Sequence, residues 1–327
     1  MSIYQFSTSL VPETLCINNP DHRLATLVFF GNIHTKLYDE KLKIHIDLSE
    51  VKMATAAASL LFFAIISEAK LRLNDPKAVR FTWPQKAKNI DGHKVIVATG
   101  LSSALLASSI SELDKLTIEE RYFQSSVDPE TQLVSSRQFL IKNMDNPLNE
   151  NQFALLTAAI GEAMINVRHH AYELEGWQEK KVYLGGSRWW QCSWYDQKQD
   201  ALYFIICDLG CGVVESYKSS HVEKVMTESD MLNEAFCEGF SRFIDQGRGN
   251  GSEDIKRPII EEKSMNDVKF EQLLVLSGYS QYEYSIQNNK PRVLSHEVTS
   301  SIPGTLSKAT SFLPGTIVEW CLIPERK

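Results

Sequence analysis

The sequence predicts an α/β protein of two domains. Its length of 327 residues corresponds to about two domains of average size. In the first part of the chain, segments with strand periodicity alternate with helical segments, which is typical of an α/β unit. In the second part, a long amphipathic helix precedes a hairpin whose second strand is apolar throughout, as in a buried central strand. The composition, with 43% hydrophobic residues, provides enough apolar material for two cores and excludes a wholly disordered chain.

The N-terminal elements follow from their apolar patterns. Residues 25–31 (ATLVFFG) predict a strand, and residues 43–48 (KIHIDL) predict another because apolar and polar side chains alternate. The apolar stretch over residues 52–73 predicts a buried helix, and residues 78–83 (AVRFTW) predict a third strand. The next apolar segment, which begins at residue 95 with VIVATG, predicts a strand or a helix start that leads into a helix around residues 101–111.

Residues 113–150 are polar and contain the turn-rich sequence SSVDPETQ, so they predict a domain boundary near residue 130. The predicted domains are therefore 1–130 and 131–327. We assign no chemistry to the polar insertion over residues 262–300.

The C-terminal domain begins with a long helix over residues 149–174, whose apolar residues recur at helical spacing. A hairpin follows, with strands at residues 189–195 and 201–207 on either side of the polar turn DQKQD. A helical stretch at residues 229–245 precedes the sequence GRGNG, and the chain closes with a strand at residues 316–323.

Charge and cysteine content exclude several classes of protein. The formal net charge is −7, whereas non-specific nucleic-acid binding requires a surplus of Lys and Arg. Six cysteines in a chain of this length do not make a disulfide framework, and no further ligands at zinc spacing accompany Cys207 and Cys211. The N-terminus lacks the pattern of a secretory signal, and the most apolar run, residues 54–66, is too short to span a bilayer. We therefore expect a soluble, cytoplasmic protein with no membrane contact.

The first candidate site is carried by the sequence GEAMINVRHHAYE in the predicted long helix. Glu162 and Asn166 are four residues apart, so they lie on one helical face. A carboxylate and a carboxamide at that spacing are able to hold a magnesium ion and to polarise a water molecule or hydroxyl near a phosphate. Taken alone, the pair is better explained by a surface Glu and a partly buried Asn.

Two glycine-rich sequences follow. Asp208 ends the predicted buried strand in the sequence DLGCG, where Gly210 and Gly212 permit close backbone approach and a carboxylate is able to accept a hydrogen bond from an exocyclic amine. The sequence GRGNG contains Gly247, Gly249 and Gly251, whose exposed backbone N–H groups form a natural anion cradle. A tight turn and a flexible loop are the ordinary alternatives. No Walker or dinucleotide-binding glycine pattern is present.

In this order, E-x-x-x-N, D-x-G-x-G, G-x-G-x-G and a Gly-Thr pair before the final strand resemble the GHKL ATPase family, over residues 145–325. The sequence HAY at residues 170–172 resembles the anti-sigma and histidine-kinase-like branch. The resemblance implies a Bergerat-type α/β sandwich that binds ATP and Mg²⁺. The chain departs from the family pattern at Ser252, where an apolar residue is usual.

The resemblance also implies roles for individual residues. Glu162 would orient or deprotonate the attacking nucleophile, Asn166 would coordinate Mg²⁺, and Asp208 would bind the adenine amino group. Gly210 and Gly212 would shape the adenine pocket, and Thr316 would support the adenine through water. The backbone at Gly247, Gly249 and Gly251 would wrap the phosphates, and His170 would be a structural neighbour of the site. Gly304-Thr305 is a rival for the Gly315-Thr316 pair.

The N-terminal part, residues 20–112, loosely resembles a STAS domain, because a strand ending in Asp47-Leu48-Ser49 precedes a long helix. That resemblance makes Ser49 and Thr55 candidates for phosphorylation. A generic α/β domain that docks a partner explains the same pattern.

Three functions remain open at this point. The chain is interpreted first as an ATP-hydrolysing conformational switch that regulates a protein partner, which would be encoded nearby, or that pairs with itself as a homodimer. The alternatives are a serine/threonine kinase of the anti-sigma type and a non-enzymatic adaptor that binds nucleotide as a structural ligand.

Overall fold

In a computed structural model, residues 6–142, 148–196, 198–221, 225–237, 251–260, 271–287, 290–297 and 312–324 are described. They form a mixed α/β structure of two compact units. The first unit comprises the described residues up to Ser125 together with Val182–Gly186 and Phe312, and the second comprises the described residues of Ser126–Lys181, Ser187–Val298 and Leu313–Lys327. Val182–Gly186 thus belongs to the first unit, although the sequence predicts it within the domain 131–327.

The first unit contains two small parallel sheets and a buried helix. Strands β1, β3 and β5 form a parallel sheet in the order β1-β3-β5, and β2 pairs in parallel with β4. The elements are β1 (Phe6–Ser9), β2 (Thr14–Leu15), α1 (Pro20–His34), β3 (Lys43–Asp47), β4 (Met53–Ala54), α2 (Ala56–Leu73), β5 (Val79–Thr82), α3 (Ile90–Gly92), α4 (Leu101–Leu106), α5 (Ile110–Ile118) and β6 (Phe123–Ser126), whose last residue belongs to the second unit.

The centre of the first unit is α2, which is buried along nearly its whole length. Thr55 caps its N-terminus by accepting the N–H of Ala58, and Asn74 ends it in a left-handed conformation. Phe62 stacks on Phe30, with ring centroids 5.7 Å apart. The strands predicted at 43–48 and 78–83 and the helix at 52–73 are confirmed as β3, β5 and α2.

The prediction of a strand at residues 25–31 is wrong, because this segment lies inside α1. Asn19 caps the helix by accepting the N–H of Asp21, and Pro20 occupies the first helical turn, where its fixed φ favours the helix. Leu27 and Phe30 are buried at helical spacing. A short continuous apolar run is compatible with either a strand or a buried helix, so the cap decided between them.

The predicted helix around residues 101–111 is two helices. α4 ends at Leu106, and Ser109 begins α5 by accepting the N–H of Glu112. This N-cap gives the second helix its own start, which the apolar pattern does not reveal.

The second unit is an antiparallel sheet accompanied by helices. Six of its strands pair in the order β11-β10-β9-β12-β8-β7, with β8, β9 and β12 at its centre. Its elements are α6 (Pro129–Lys142), α7 (Glu150–Asn166), α8 (Gln178–Leu184, of which the last three residues belong to the first unit), β7 (Trp189–Asp196), β8 (Ala201–Asp208), α9 (Gly212–Ser220), α10 (Glu228–Ala235), α11 (Gly251–Ile260), β9 (Gln272–Gly278), β10 (Ser280–Gln287), β11 (Lys290–Glu297) and β12 (Leu313–Leu322).

The hairpin β7–β8 and the final strand β12 confirm the corresponding predictions, and β12 lies antiparallel to β8. The predicted helix at 149–174 is shorter: α7 ends at Asn166 and continues as one π-helical turn to Ala171. The predicted helix at 229–245 is described only in part, as α10.

The sequence missed three strands within the supposed insertion 262–300. β9, β10 and β11 lie in this range, and five consecutive residues of β9 are buried. Only strand β9 carries an apolar run, whereas β10 alternates polar and aromatic residues and β11 is largely exposed. Of the helices in the described ranges, none has the length and apolar character that a membrane crossing requires.

Candidate functional site

A cavity of about 220 Å³ lies in the second unit, between α7 and its π-helical turn, α9, the start of α11, and the ends of β8 and β12. Its lining residues come from distant parts of the sequence, from Glu162 on α7 to Val318 on β12. The predicted site residues that line it are Glu162, Asn166, His170, Asp208, Gly212, Gly251 and Thr316. Gly210 lies beside the cavity in the loop after β8, whereas Gly247 and Gly249 lie outside the described residues.

Helix α7 brings Glu162 and Asn166 to the same wall of the cavity. The helix starts at a capping box, in which Asn149 accepts the N–H of Gln152 and the Gln152 side chain accepts the N–H of Asn149. Leu156 and other apolar residues bury its opposite face. The four-residue spacing therefore places the carboxylate and the carboxamide one turn apart, half-buried, at the cavity surface.

Asp208 is the last residue of β8 and is only 5% exposed. Burial raises the pKa of its carboxyl to about 7, against the opposing effects of the Gly210 N–H, the charge of Lys180 and the Thr316 N–H. The Gly210 N–H donates to Oδ1 of Asp208 at 2.8 Å. A carboxyl group whose pKa is raised by burial and that lines a cavity is a candidate functional group.

The loop after Asp208 is pressed against the π-helical turn that follows α7. The Cys211 N–H donates to the carbonyl oxygen of Ala171 at 2.7 Å. A Cβ placed on Gly210 would overlap that same carbonyl oxygen, so only glycine fits at this position. The predicted close approach of backbone at the D-x-G-x-G sequence thus has a specific cause.

Gly212 and Gly315 require glycine because both lie in the left-handed region, with φ of +78° and +72°. A Cβ on Gly212 would lie 2.6 Å from Oγ of Ser277, and one on Gly315 would lie 2.8 Å from Oδ1 of Asp208. Thr316 follows Gly315 and stands opposite Asp208 in the β8–β12 ladder. The Gly315-Thr316 pair therefore adjoins Asp208, whereas its rival, Gly304-Thr305, lies outside the described residues.

Gly251 is the first residue of α11 and packs directly against the Glu162 side chain. A Cβ on Gly251 would overlap Oε1 of Glu162, so the absence of a side chain is what lets α11 approach α7 so closely. The helix is held from its other side, because the indole N–H of Trp320 donates to the carbonyl oxygen of Ile255 at 2.8 Å. The ammonium of Lys256 donates to the carbonyl oxygen of Phe236, also at 2.8 Å.

Sequence reasoning missed three residues that hold the site together. The Tyr172 hydroxyl donates to the carbonyl oxygen of Arg188 at 2.7 Å and accepts the N–H of Leu209 at 3.2 Å. The ammonium of Lys180 donates to the carbonyl oxygen of Leu209 at 2.9 Å. Oγ of Ser277 accepts the N–H of Val213 and donates to the carbonyl oxygen of Gly315. Only Tyr172 had a sequence signal, as the last residue of HAY.

The two phosphorylation candidates of the first unit occupy local backbone roles. The Ser49 N–H donates to Oδ1 of Asp47 in the turn after β3. Oγ of Thr55 accepts the N–H of Ala58 at 3.4 Å as the N-cap of α2. Both residues stay predicted candidates.

The cavity suits a magnesium ion only together with an anionic ligand. Within the described ranges, no three His, Cys, Asp or Glu side chains are grouped closely enough to hold a metal. Mg²⁺ is usually bound through one or two protein oxygens, with the remaining positions filled by substrate phosphates and water. The Asn166 carboxamide, which lines the cavity, would provide one such oxygen.

The chain was compared with protein-family models, with curated proteins and with solved structures, and none of the three comparisons found a match.

Proposed function

We propose that the second unit binds Mg-ATP and hydrolyses it, as a nucleotide-dependent switch that regulates a partner protein. The observation that supports this most directly is the single cavity that contains Glu162, Asn166, Asp208 and Thr316. A base-recognising carboxylate and a polar pair suited to phosphate chemistry thus face one ligand-sized space. The resemblance to GHKL ATPases rests on these same residues.

Recognition of the base is assigned to Asp208. Its Oδ1 already accepts the Gly210 N–H, and a carboxylate has further lone pairs for the exocyclic amine of adenine. Gly212 and Thr316 line the cavity together with Asp208, and Gly315 packs against the Asp208 backbone. An amine donor at this place would be bound strongly, because charge-assisted hydrogen bonds are about twice as strong as neutral ones.

The phosphate end is assigned to α7 and the start of α11. Glu162 would act as general base for the attacking water, and Asn166 would hold Mg²⁺. The ion would neutralise charge on the phosphate oxygens. Gly251, which leaves room against Glu162, together with the predicted residues Gly247 and Gly249, would contact the phosphates through backbone N–H groups.

Binding of ADP with Mg²⁺, measured by isothermal titration calorimetry, tests the base site. We expect one site per chain in the unchanged protein and a loss of at least about tenfold in affinity in Asp208→Asn, since an amide in place of the carboxylate brings a donor towards the adenine amine. Asp196→Asn is the matched control, because Asp196 lies at the opposite end of the β7–β8 hairpin and should leave binding unchanged. The proposal fails if the unchanged chain binds neither ADP nor ATP at millimolar concentration.

Phosphate release in Glu162→Gln tests the catalytic assignment. This variant keeps the size and polarity of the side chain but removes the base, so ADP binding should persist while hydrolysis falls by about a hundredfold or more. Transfer of the radiolabelled terminal phosphate to protein would instead identify an anti-sigma-type kinase. Nucleotide binding with neither release nor transfer would identify a non-enzymatic adaptor.

A further inference from the structure

The residue after Asp208 is held by side chains at both of its backbone polar groups. The Leu209 N–H donates to the Tyr172 hydroxyl at 3.2 Å, and the Leu209 carbonyl oxygen accepts from the Lys180 ammonium at 2.9 Å. Leu209 itself is buried, and so is Tyr172. Leu209, the residue that follows Asp208, is thus held at its N–H by an uncharged hydroxyl and at its carbonyl oxygen by a cation.

Lys180 reaches this carbonyl from α8 and is only half-buried. Its ammonium lies 5.0 Å from the centroid of the Trp177 ring, which covers the side chain on one side. The next residue, Lys181, points to a different partner and forms an ion pair with Glu173 at 2.6 Å. Of these two adjacent lysines on α8, therefore, Lys180 contacts the backbone next to Asp208, whereas Lys181 pairs with Glu173.

Asp208 has few charges around it. Its neighbours across the sheet are Trp189 on β7 and Thr316 on β12, neither of which titrates. The titratable side chains that line the cavity or contact the loop of residues 209–211 are Glu162, His169, His170, Tyr172, Lys180, Cys207, Cys211 and Tyr217. Burial raises the pKa of Cys207 well above its ordinary value, so this thiol is neutral near pH 7, while the Lys180 charge opposes the rise in the Asp208 pKa.

We propose that Lys180 is a positioning residue of the nucleotide site, which holds the Leu209 carbonyl and favours the ionised form of the adjacent Asp208 carboxyl group for recognition of the base. The inference rests on the proposed function for its ligand. It adds a residue that the motifs do not contain, and it makes base recognition dependent on a cation outside the cavity. A neutral side chain of similar length at this position would preserve much of the packing against Trp177 while removing the charge.

The test is the pH dependence of ADP affinity in Lys180→Met, compared with Lys180→Arg and with the control Lys181→Met. The Lys180 charge opposes the rise in the Asp208 pKa, so removing this charge lowers the ionised fraction of the carboxyl group at pH 7. We therefore expect Lys180→Met to bind ADP several-fold more weakly at pH 7 and to regain most of the affinity at higher pH. The Arg variant and the Lys181→Met control should follow the unchanged chain.

A second measurement needs no nucleotide. In protein labelled with ¹³C at the aspartate carboxyl carbons, the Asp208 signal is assigned by its loss in Asp208→Asn, which also separates it from titration of Glu162 and His170. We expect the Asp208 titration midpoint to move to higher pH in Lys180→Met alone. An unchanged midpoint overturns the inference, as does a loss of affinity that is equal at every pH, which would indicate a merely structural lysine. If the unchanged chain binds no ADP, the proposed function fails, and the carboxyl titration still decides the role of Lys180.

Discussion

Replacing Tyr172 by Phe removes a single hydroxyl from the interior of the second unit. This hydroxyl makes two hydrogen bonds, to the carbonyl oxygen of Arg188 and from the N–H of Leu209. The side chain is fully buried, at 0% exposure, so water has no ready access to take its place. The substitution retains the ring and its packing, which confines the change to polar contacts.

The expected loss follows from the number of bonds. A typical hydrogen bond contributes about 1 kcal/mol net to stability, and two are removed, so the free energy of unfolding should fall by about 2 kcal/mol. The effect could reach about 3 kcal/mol, because leaving a buried polar group unsatisfied costs more than the mean value of a bond. A loss of this size is well above the change of about 0.5 kcal/mol expected from most surface substitutions.

Urea unfolding followed by tryptophan fluorescence is a suitable assay. Five of the six tryptophans, at positions 177, 189, 190, 194 and 320, belong to the second unit, so the signal reports mainly on that unit. Tyr203→Phe is the control, because Tyr203 lies on β8 in the same unit, is only partly buried, and bonds through its hydroxyl to Gln199 at the protein surface and to Cys321. If Tyr172→Phe shifts the unfolding midpoint no more than Tyr203→Phe does, the role assigned to the Tyr172 hydroxyl is refuted.

Two further predictions concern the cavity itself. Gly251→Ala places a Cβ where Oε1 of Glu162 lies, so the Glu162 carboxylate should be displaced. We expect phosphate release to fall by about tenfold to a hundredfold, while ADP affinity measured by calorimetry stays within about threefold. Equal losses of phosphate release and of ADP affinity would contradict this prediction. Asp208 has an ordinary pKa of 3.8 and a pKa of about 7 in the folded chain, so between these values the folded state binds more protons than the unfolded state, and stability falls as pH rises from about 4 to about 7. Asp208→Asn should lack this component, and thermal unfolding of the two proteins across that range should show a difference that grows with pH and then levels off.

Much of the candidate site could be predicted from sequence because each motif is local. A four-residue spacing on a helix places Glu162 and Asn166 on one face wherever the helix packs. A carboxylate at the end of an apolar strand, followed by glycines, lies where the chain leaves the sheet and turns tightly. The hairpin β7–β8 could be recognised because two apolar segments flank the polar turn DQKQD. These features depend on residues within a few positions of one another.

The elements and residues that the sequence analysis predicted wrongly or missed also have physical explanations. The segment at 25–31 is a helix because Asn19 and Pro20 start it, which outweighs an apolar run that is compatible with either structure. Strand β10 was missed because it carries buried polar residues such as Ser280 and Gln281 in place of an apolar run, and β11 was missed because its side chains are largely exposed. Ser277 on β9 and Lys180 on α8 were missed because a serine or a lysine carries no pattern that tells which backbone group it will bind.

The sequence by itself determined the α/β class, the order of most elements and the residue types that line the cavity, since helical spacing, strand alternation and glycine placement are properties of neighbouring residues. Tertiary structure alone decided how these pieces support one another. Packing brings Tyr172 and Lys180 to the two backbone groups of Leu209, and it brings Gly251 against Glu162. Such contacts join residues tens of positions apart, and their distances follow from how helices and sheet pack rather than from local propensity.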